Sequence, residues 1–104
     1  FIWCHATGSG ATVWGLQARG YADGDDLNVT FGTAVEVTDS GGTANTNYIS
    51  AESAPMTVAG TPGNEELVIF QVYRNATSGS DTLSVDAKLI GVKIHYVTNS
   101  QSDD

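Results

Sequence analysis

The sequence is poor in the residues that cross-link a chain, rigidify it or charge it positively. Of its 104 residues, one is cysteine, two are proline and four are lysine or arginine. Because Cys4 is the single cysteine, an intrachain disulfide is excluded, and the fold must be stabilised by packing or by assembly. No apolar run approaches the roughly 20 residues that a membrane-spanning helix requires.

The shortage of basic residues also excludes two classes of partner. Twelve acidic residues against four basic ones give a formal net charge of −8. Such a chain repels a phosphate backbone and has no basic patch from which counterions could be released on binding, so we expect no nucleic-acid partner. We expect no binding to an anionic membrane surface for the same reason.

What the sequence does contain predicts one all-β domain. Hydrophobic residues make up 40% of the chain, and twelve glycines accompany frequent Thr, Ser, Val and Asp. Short alternating segments separated by polar turns predict seven to eight strands in an antiparallel β-sandwich, with jelly-roll-like or immunoglobulin-like connectivity. We expect a single domain over residues 1–98 and a polar tail at 99–104. The strand-like start "FIWCHA" indicates that an upstream part is missing or cleaved.

Two C-terminal segments have the strongest strand patterns. Residues 66–74, "ELVIFQVYR", are apolar on both faces, which predicts a strand covered on both sides. Residues 87–97, "AKLIGVKIHYV", alternate, and the pattern predicts that four of their side chains face the core. These four are Ile90, Val92, Ile94 and Tyr96.

No motif in the sequence predicts an enzyme or a cofactor. Cys4 and His5 are adjacent on a predicted strand, so they point to opposite faces and cannot easily share one metal ion. The chain has no G-x-S-x-G elbow that would present a nucleophilic serine. Its paired carboxylates, such as Glu65 and Glu66, lie in Gly-rich turns rather than on groove-facing strands, so a glycosidase is also disfavoured.

The acidic turn "ADGDD" is a candidate calcium site. Asp23, Asp25 and Asp26 could offer oxygen ligands to calcium, but their spacing does not match the Asp-x-Asp-x-Asp-Gly loop of known calcium sites. A tight turn, in which Asp and Gly accept left-handed backbone angles, is the better interpretation. Calcium binding remains the weaker alternative.

Aromatic residues near turns are the candidate ligand contacts. Tyr21 and Tyr48 lie beside predicted loops, so they are candidates for stacking against a sugar, whereas Trp14 and Tyr96 match the predicted core stripes. The N-glycosylation acceptor triplets at Asn28 and Asn75 matter only in a glycosylating secretory route.

Arg74 ends the strand at residues 66–74, ahead of the polar excursion "NATSGSDTLSVDA". We predict that its guanidinium pairs with Asp81 or Asp86 and orders this excursion, because a guanidinium can hold a carboxylate by two parallel hydrogen bonds. The predicted role is structural, and an Arg74→Ala variant should loosen the loop.

The amino-acid sequences of three segments resemble those of a known group of proteins. The segments are "VWGLQARGYADGDDLNVTFGTAVEVTD", "ISAESAPMTVAGTPGNEELVIFQVYRN" and "SDTLSVDAKLIGVKIHYVTN". Together they resemble the C-terminal β-domain of small virion structural proteins encoded by tailed bacteriophages and prophages. The resemblance covers residues 13–99. The start "FIWCHATGSG" departs from it, because relatives carry a longer, strand-rich lead-in there.

The resemblance implies a non-enzymatic β-sandwich on the surface of a virion, as a capsid decoration or as a head-fibre or tail-fibre domain. It implies synthesis in the bacterial host cytoplasm and partners that are other copies of the chain, for example in a trimer, or other virion proteins. It carries over no catalytic residue. A carbohydrate-binding or receptor-binding module at a fibre tip, with a host glycan as ligand, is the alternative.

Overall fold

The computed structural model describes residues 1–63 and 66–96, and every regular element in these ranges is a β-strand. The expected polar tail at 99–104 lies outside the described residues. The strands are β1 (Ile2–His5), β2 (Gly10–Tyr21), β3 (Val35–Gly41), β4 (Tyr48–Ile49), β5 (Leu67–Arg74) and β6 (Ala87–Gly91).

The six strands form two antiparallel sheets. The first sheet has the order β4-β1-β6, and the second has the order β3-β2-β5. β2 is the longest strand, with 12 residues, and it is the central strand of the second sheet. Its alternation produces the burial that the sequence predicts, since Trp14, Leu16 and Ala18 are all buried on one face.

β2 has hydrogen-bond partners along both sides, although neither neighbouring strand is as long as β2 itself. β3 pairs with the first half of β2 and β5 with the second half. Loops supply the remaining partners. Gly20 donates a backbone hydrogen bond to Ala59, and the amides of Thr82 and Leu83 donate to Ala11. A central strand needs this complete pairing because an unpaired buried peptide group costs free energy.

The two sheets meet at a small aromatic core. Trp3 of β1 is fully buried, and its ring centroid lies 6.1 Å from that of Trp14. Leu83, from the loop between β5 and β6, completes the buried cluster. Gly41 lies beneath Trp3 and His5, where a Cβ would come within 2.5 Å of the Trp3 ring, so the close approach of the sheets requires a glycine at this position.

Fewer strands form in the described residues than the seven to eight that the pattern predicts. The expected strand over residues 47–53 shortens to the two residues of β4. The expected strand over 55–60 forms only one isolated bridge, between Ala59 and Arg19. Pro55 has no N–H to donate to a ladder, and no side chain in either of these two segments is buried, so little packing favours a further strand.

The predicted burial of the two C-terminal segments is wrong. β5 is not covered on both sides, because Leu67 is 56% exposed and Phe70 is 37% exposed. Ile90, Ile94 and Tyr96 do not face the core, and Tyr96 is 82% exposed. The physical reason is that β6 ends at Gly91 and its register against β1 shifts opposite Ile90, so no sheet continues the alternation.

Candidate functional site

Arg74 forms the buried ion pair of the structure. Its Nε and Nη2 donate to the two carboxylate oxygens of Asp81, at 2.9 and 2.7 Å. The side chains are 17% and 1% exposed, respectively. Of the two carboxylates that the sequence offered, Asp81 makes the contact, whereas Asp86 acts on Arg74 only through its charge.

The ion pair is part of a larger contact, the Arg74 clamp, made by Arg74, Asp81 and the carbonyls of Leu83 and Val85. Arg74 donates to those carbonyls at 2.6 and 2.8 Å. Asp81 also accepts a hydrogen bond from the backbone N–H of Val13 on β2, at 3.1 Å. The clamp therefore holds the loop between β5 and β6 against the first half of β2.

Electrostatics in the clamp favour the charged forms of both partners. The hydrogen bond from Arg74 lowers the pKa of Asp81, and the bond from Val13 acts in the same direction against desolvation. The hydrogen bond to Asp81 raises the pKa of Arg74, although burial opposes it. A permanently charged, fully paired site of this kind is suited to holding a loop and offers no group that could exchange protons near neutral pH.

A second polar contact crosses the outer face of the second sheet. Tyr73 reaches over Gly15 and donates its hydroxyl to Glu36 at 2.8 Å, and the side-chain amide of Asn75 donates to the same carboxylate oxygen at 3.2 Å. Burial raises the pKa of Tyr73, and the bond to Glu36 adds to the effect. The register could have indicated this contact, because Tyr73 and Glu36 both lie opposite Gly15.

Cys4 and His5 face opposite sides of β1, as the alternation requires. His5 is buried, stacks on Trp3 with centroids 5.7 Å apart, and has its Nδ1 3.0 Å from the carbonyl oxygen of Thr7. That carbonyl needs a donor, so we assign the proton to Nδ1. Among the described residues, His5 Nε2 has no hydrogen-bond partner.

The three acidic residues of the "ADGDD" turn do not converge. Asp25 accepts a hydrogen bond from the backbone N–H of Ala22, and Asp26 accepts one from that of Asn28. Asp23 is exposed. Within residues 1–63 and 66–96, no three His, Cys, Asp or Glu side chains lie close enough together to hold a metal ion.

The tyrosine that is exposed is not one of the two that the sequence predicts to contact a ligand. Tyr21 is buried, with 6% exposure, so the expectation that it faces solvent is wrong. Tyr48 is half-buried: its ring packs on Trp3, and its hydroxyl bonds the backbone of Thr43. Tyr96, which the pattern assigned to the core, is the exposed tyrosine.

Tyr96 borders a concavity of the described chain, which we call the open groove. It has a volume of about 930 Å³ and is lined largely by apolar side chains from both sheets and from residues 49–56 and 92–96. Phe70 and Leu16 contribute from the second sheet, and Ile94 from the segment after β6. The alternating pattern did not indicate this groove, because it assigned Phe70 and Ile94 to a closed core.

The described part of the chain leaves several large apolar side chains in contact with solvent. Ile49, Leu67 and Ile90 are each more than half exposed, and Tyr96 is 82% exposed.

No family model, no curated protein and no solved structure matches this chain. In the part of the chain that the structure describes, no helix has the length and apolar character needed to cross a membrane.

Proposed function

We propose that this protein is a non-enzymatic structural protein on the surface of a phage virion, and that it acts by self-assembly or by docking to the particle. The role is that of a capsid decoration or of a head-fibre or tail-fibre domain. The sequence resemblance over residues 13–99 suggests the setting. The structure contributes support of a different kind, from the surface that the folded chain leaves uncovered.

The observation that carries the proposal is this uncovered surface. Ile49, Phe70, Ile94 and Tyr96 are exposed, and all four line the open groove. Exposed apolar side chains gathered on one surface mark an interaction site in a folded protein. Docking or self-assembly would cover it.

The proposed fold is a β-sandwich of jelly-roll type, with seven to eight strands in the assembled protein. Two segments support this count. Residues 57–60 and 81–83 already follow the sides of β2, and each segment makes two backbone hydrogen bonds with it. Each segment lies where a further strand would complete a sheet, so an assembly that orders them would supply the missing strands.

The chemistry of the chain fits synthesis in the cytoplasm of a bacterial host before incorporation into the particle. Its one free cysteine, Cys4, is half-buried and requires no oxidising compartment. The partners in this proposal are other copies of the chain, in a symmetric oligomer such as a trimer, and other virion proteins.

The direct test is the composition of purified particles. Virions produced from the phage or prophage that encodes the chain should contain it, in a copy number that is a multiple of a capsid or tail symmetry. Quantitative mass spectrometry of gradient-purified particles measures this number, and antibody labelling in electron micrographs gives the location. Particles that lack the protein, while the infected cell contains it, would overturn the proposal.

A second candidate function is the binding of a host glycan at a fibre tip, and the exposure of Tyr96 at the open groove favours it. An exposed aromatic ring beside a concave surface is the usual arrangement for stacking on a sugar. A glycan array should give binding that Tyr96→Ala abolishes and Tyr48→Phe retains. Equal binding by both variants, or none by the wild type, would contradict this second function.

A further inference from the structure

The outer strands of the two sheets differ in how they are protected from pairing with another chain. An edge strand presents unpaired backbone groups, and natural proteins protect such edges with short length, charge or irregularity. β4 has only two residues. β3 carries Glu36 and Asp39. β6 carries Lys88 and a register shift opposite Ile90.

β5 is the edge strand without such protection. From Leu67 to Tyr73 it contains no charged residue and no proline, and its sequence is "LVIFQVY". Leu67 and Phe70 are exposed. A long, uncharged edge strand with exposed apolar side chains is the kind of edge that pairs with another strand.

The hydrogen-bond pattern identifies which backbone groups of β5 face outward. The amide of Asn75 donates to Val13 on β2, at 2.8 Å. Residue pairs of an antiparallel ladder alternate between exchanging two hydrogen bonds and exchanging none. The odd-numbered residues of β5 therefore face β2, and Val68, Phe70 and Val72 direct their N–H and C=O groups away from it. Among the described residues, none of these three is paired in a ladder on that side.

We propose that two copies of this chain join edge to edge through β5, antiparallel about a two-fold axis at Phe70, to form one continuous six-stranded sheet. In this register Phe70 lies opposite itself, and Val68 of one copy lies opposite Val72 of the other. Three outward-facing residues on each copy then exchange hydrogen bonds. The inference rests on the proposed self-assembly and specifies its surface and its symmetry.

Charge explains why a second copy fits this edge. Two chains of net charge −8 repel each other over most of their surface. Residues 67–73 are uncharged, so an antiparallel pair places no like charges opposite each other along this segment. After pairing, both ends of the joined sheet are β3 strands, whose acidic residues discourage further addition, so assembly at this edge stops at two copies.

The pairing also involves more surface than the backbone of the strand itself. Phe70 borders the open groove, so pairing at β5 would also cover one wall of it. A two-fold pair, and not a trimer, is the unit that this edge can form, because the same strand is used by both copies.

Residue-resolved amide hydrogen exchange on the wild-type protein tests the proposal without any substitution. The amides of Ile69, Gln71 and Tyr73 should be protected at every protein concentration, because they bond to β2. Those of Val68, Phe70 and Val72 should be protected only at concentrations where the dimer forms. With about nine-tenths of the chains dimeric, their exchange should slow about tenfold, since only the remaining monomer exposes them.

Charge variants at Phe70 test the two-fold axis. Phe70→Lys and Phe70→Glu should each weaken self-association by about fivefold to thirtyfold, since like charges would lie opposite each other. Mixing the two variants should restore a heterodimer, which native mass spectrometry detects. Ser80→Lys and Ser80→Glu, on an exposed loop residue, are the matched controls and should leave association unchanged. Circular dichroism confirms that each variant is folded before the comparison.

The outcomes separate this inference from the proposed function. An oligomer whose Val68, Phe70 and Val72 amides stay unprotected would overturn pairing at β5 and leave self-assembly standing. A strictly monomeric chain at high concentration would overturn both β5 pairing and self-assembly. Incorporation of Phe70→Lys into virions at the wild-type copy number would show docking without this dimer, and it too would overturn the inference.

Discussion

The two ends of the space between the sheets are built in opposite ways. At one end, the Arg74 clamp and the Trp3–Trp14 contact bury aromatic rings and a fully paired ion pair. At the other end, the open groove leaves Phe70, Ile94 and Tyr96 in contact with solvent. The difference lies in burial: the clamped end stabilises the single chain, whereas the groove end and the neighbouring β5 edge keep apolar side chains in solvent.

Of the changes considered, removal of the Arg74 side chain should destabilise the clamped end most. Arg74→Ala would leave Asp81 buried without a charge partner and would free the carbonyls of Leu83 and Val85, so we expect a loss of about 3 kcal/mol in the free energy of unfolding. Urea denaturation measures the loss, and faster amide exchange at residues 76–83 should accompany it. Arg19→Ala removes a single bond to Thr30 and should cost much less. Equal losses in the two variants would contradict a special role for the clamp.

The second-largest effect should come from acid, which should reduce the contribution of the Arg74–Asp81 pair to the free energy of unfolding. The pKa of Asp81 is lowered in the fold, so its contribution to stability is complete above its ordinary value of 3.8 and is lost as the pH falls through the lowered pKa. The stability difference between wild type and Arg74→Ala should therefore narrow below about pH 4, because protonation removes the unpaired charge in the variant. Urea midpoints from pH 7 to pH 2 measure it. A constant difference across this range would argue against the ion pair.

A smaller effect is expected at Gly15, on the outer face of the second sheet. A Cβ there would fall far inside contact distance of the Tyr73 ring. Gly15→Ala should displace this ring from Glu36 and cost about 1–2 kcal/mol. In a Tyr73→Ala background the same substitution should cost little, which a double-mutant cycle measures. Additive losses would show that the displaced ring is not the cause.

The smallest effect on the monomer should come from the groove end. Tyr96→Ser and Ile49→Ser alter exposed side chains, so each should change the free energy of unfolding by less than about 0.5 kcal/mol. Thermal denaturation at low protein concentration checks this. Tyr48→Ser, in which a ring packed against Trp3 is lost, is the contrasting variant and should destabilise more. A large loss for Tyr96→Ser would mean that the groove end contributes to the stability of the single chain.

The parts of the fold that sequence reasoning predicted correctly depend on local patterns. The all-β architecture follows from the alternation in β2, from the apolar, β-branched run of β5 and from the Gly- and Asp-rich turns between strands. The position of Arg74 at a strand end, with acidic residues in the following loop, was enough to predict an ion pair. The choice of Asp81 over Asp86 required the path of the loop, which places Asp81 beside Val13.

The predictions that were wrong concern strand faces whose burial depends on a second strand or sheet packing against them. The alternation at residues 90–96 predicts one common face, but it cannot show that β6 ends at Gly91 and that Tyr96 beyond it is exposed. The error at Tyr21 is the opposite one, since exposure was expected and the side chain is buried. It lies next to a turn in the sequence, yet it is buried on the outer face of the second sheet.

The sequence by itself determined that this chain forms strands and turns, that its single cysteine cannot form a disulfide within the chain, and that its net charge is −8. These properties depend on composition and on neighbours along the chain. Only the tertiary structure decided which strand became an unprotected edge, which carboxylate met Arg74, and which aromatic ring faced solvent. These outcomes depend on strand order and register, because the same alternating pattern is buried or exposed according to what packs across from it.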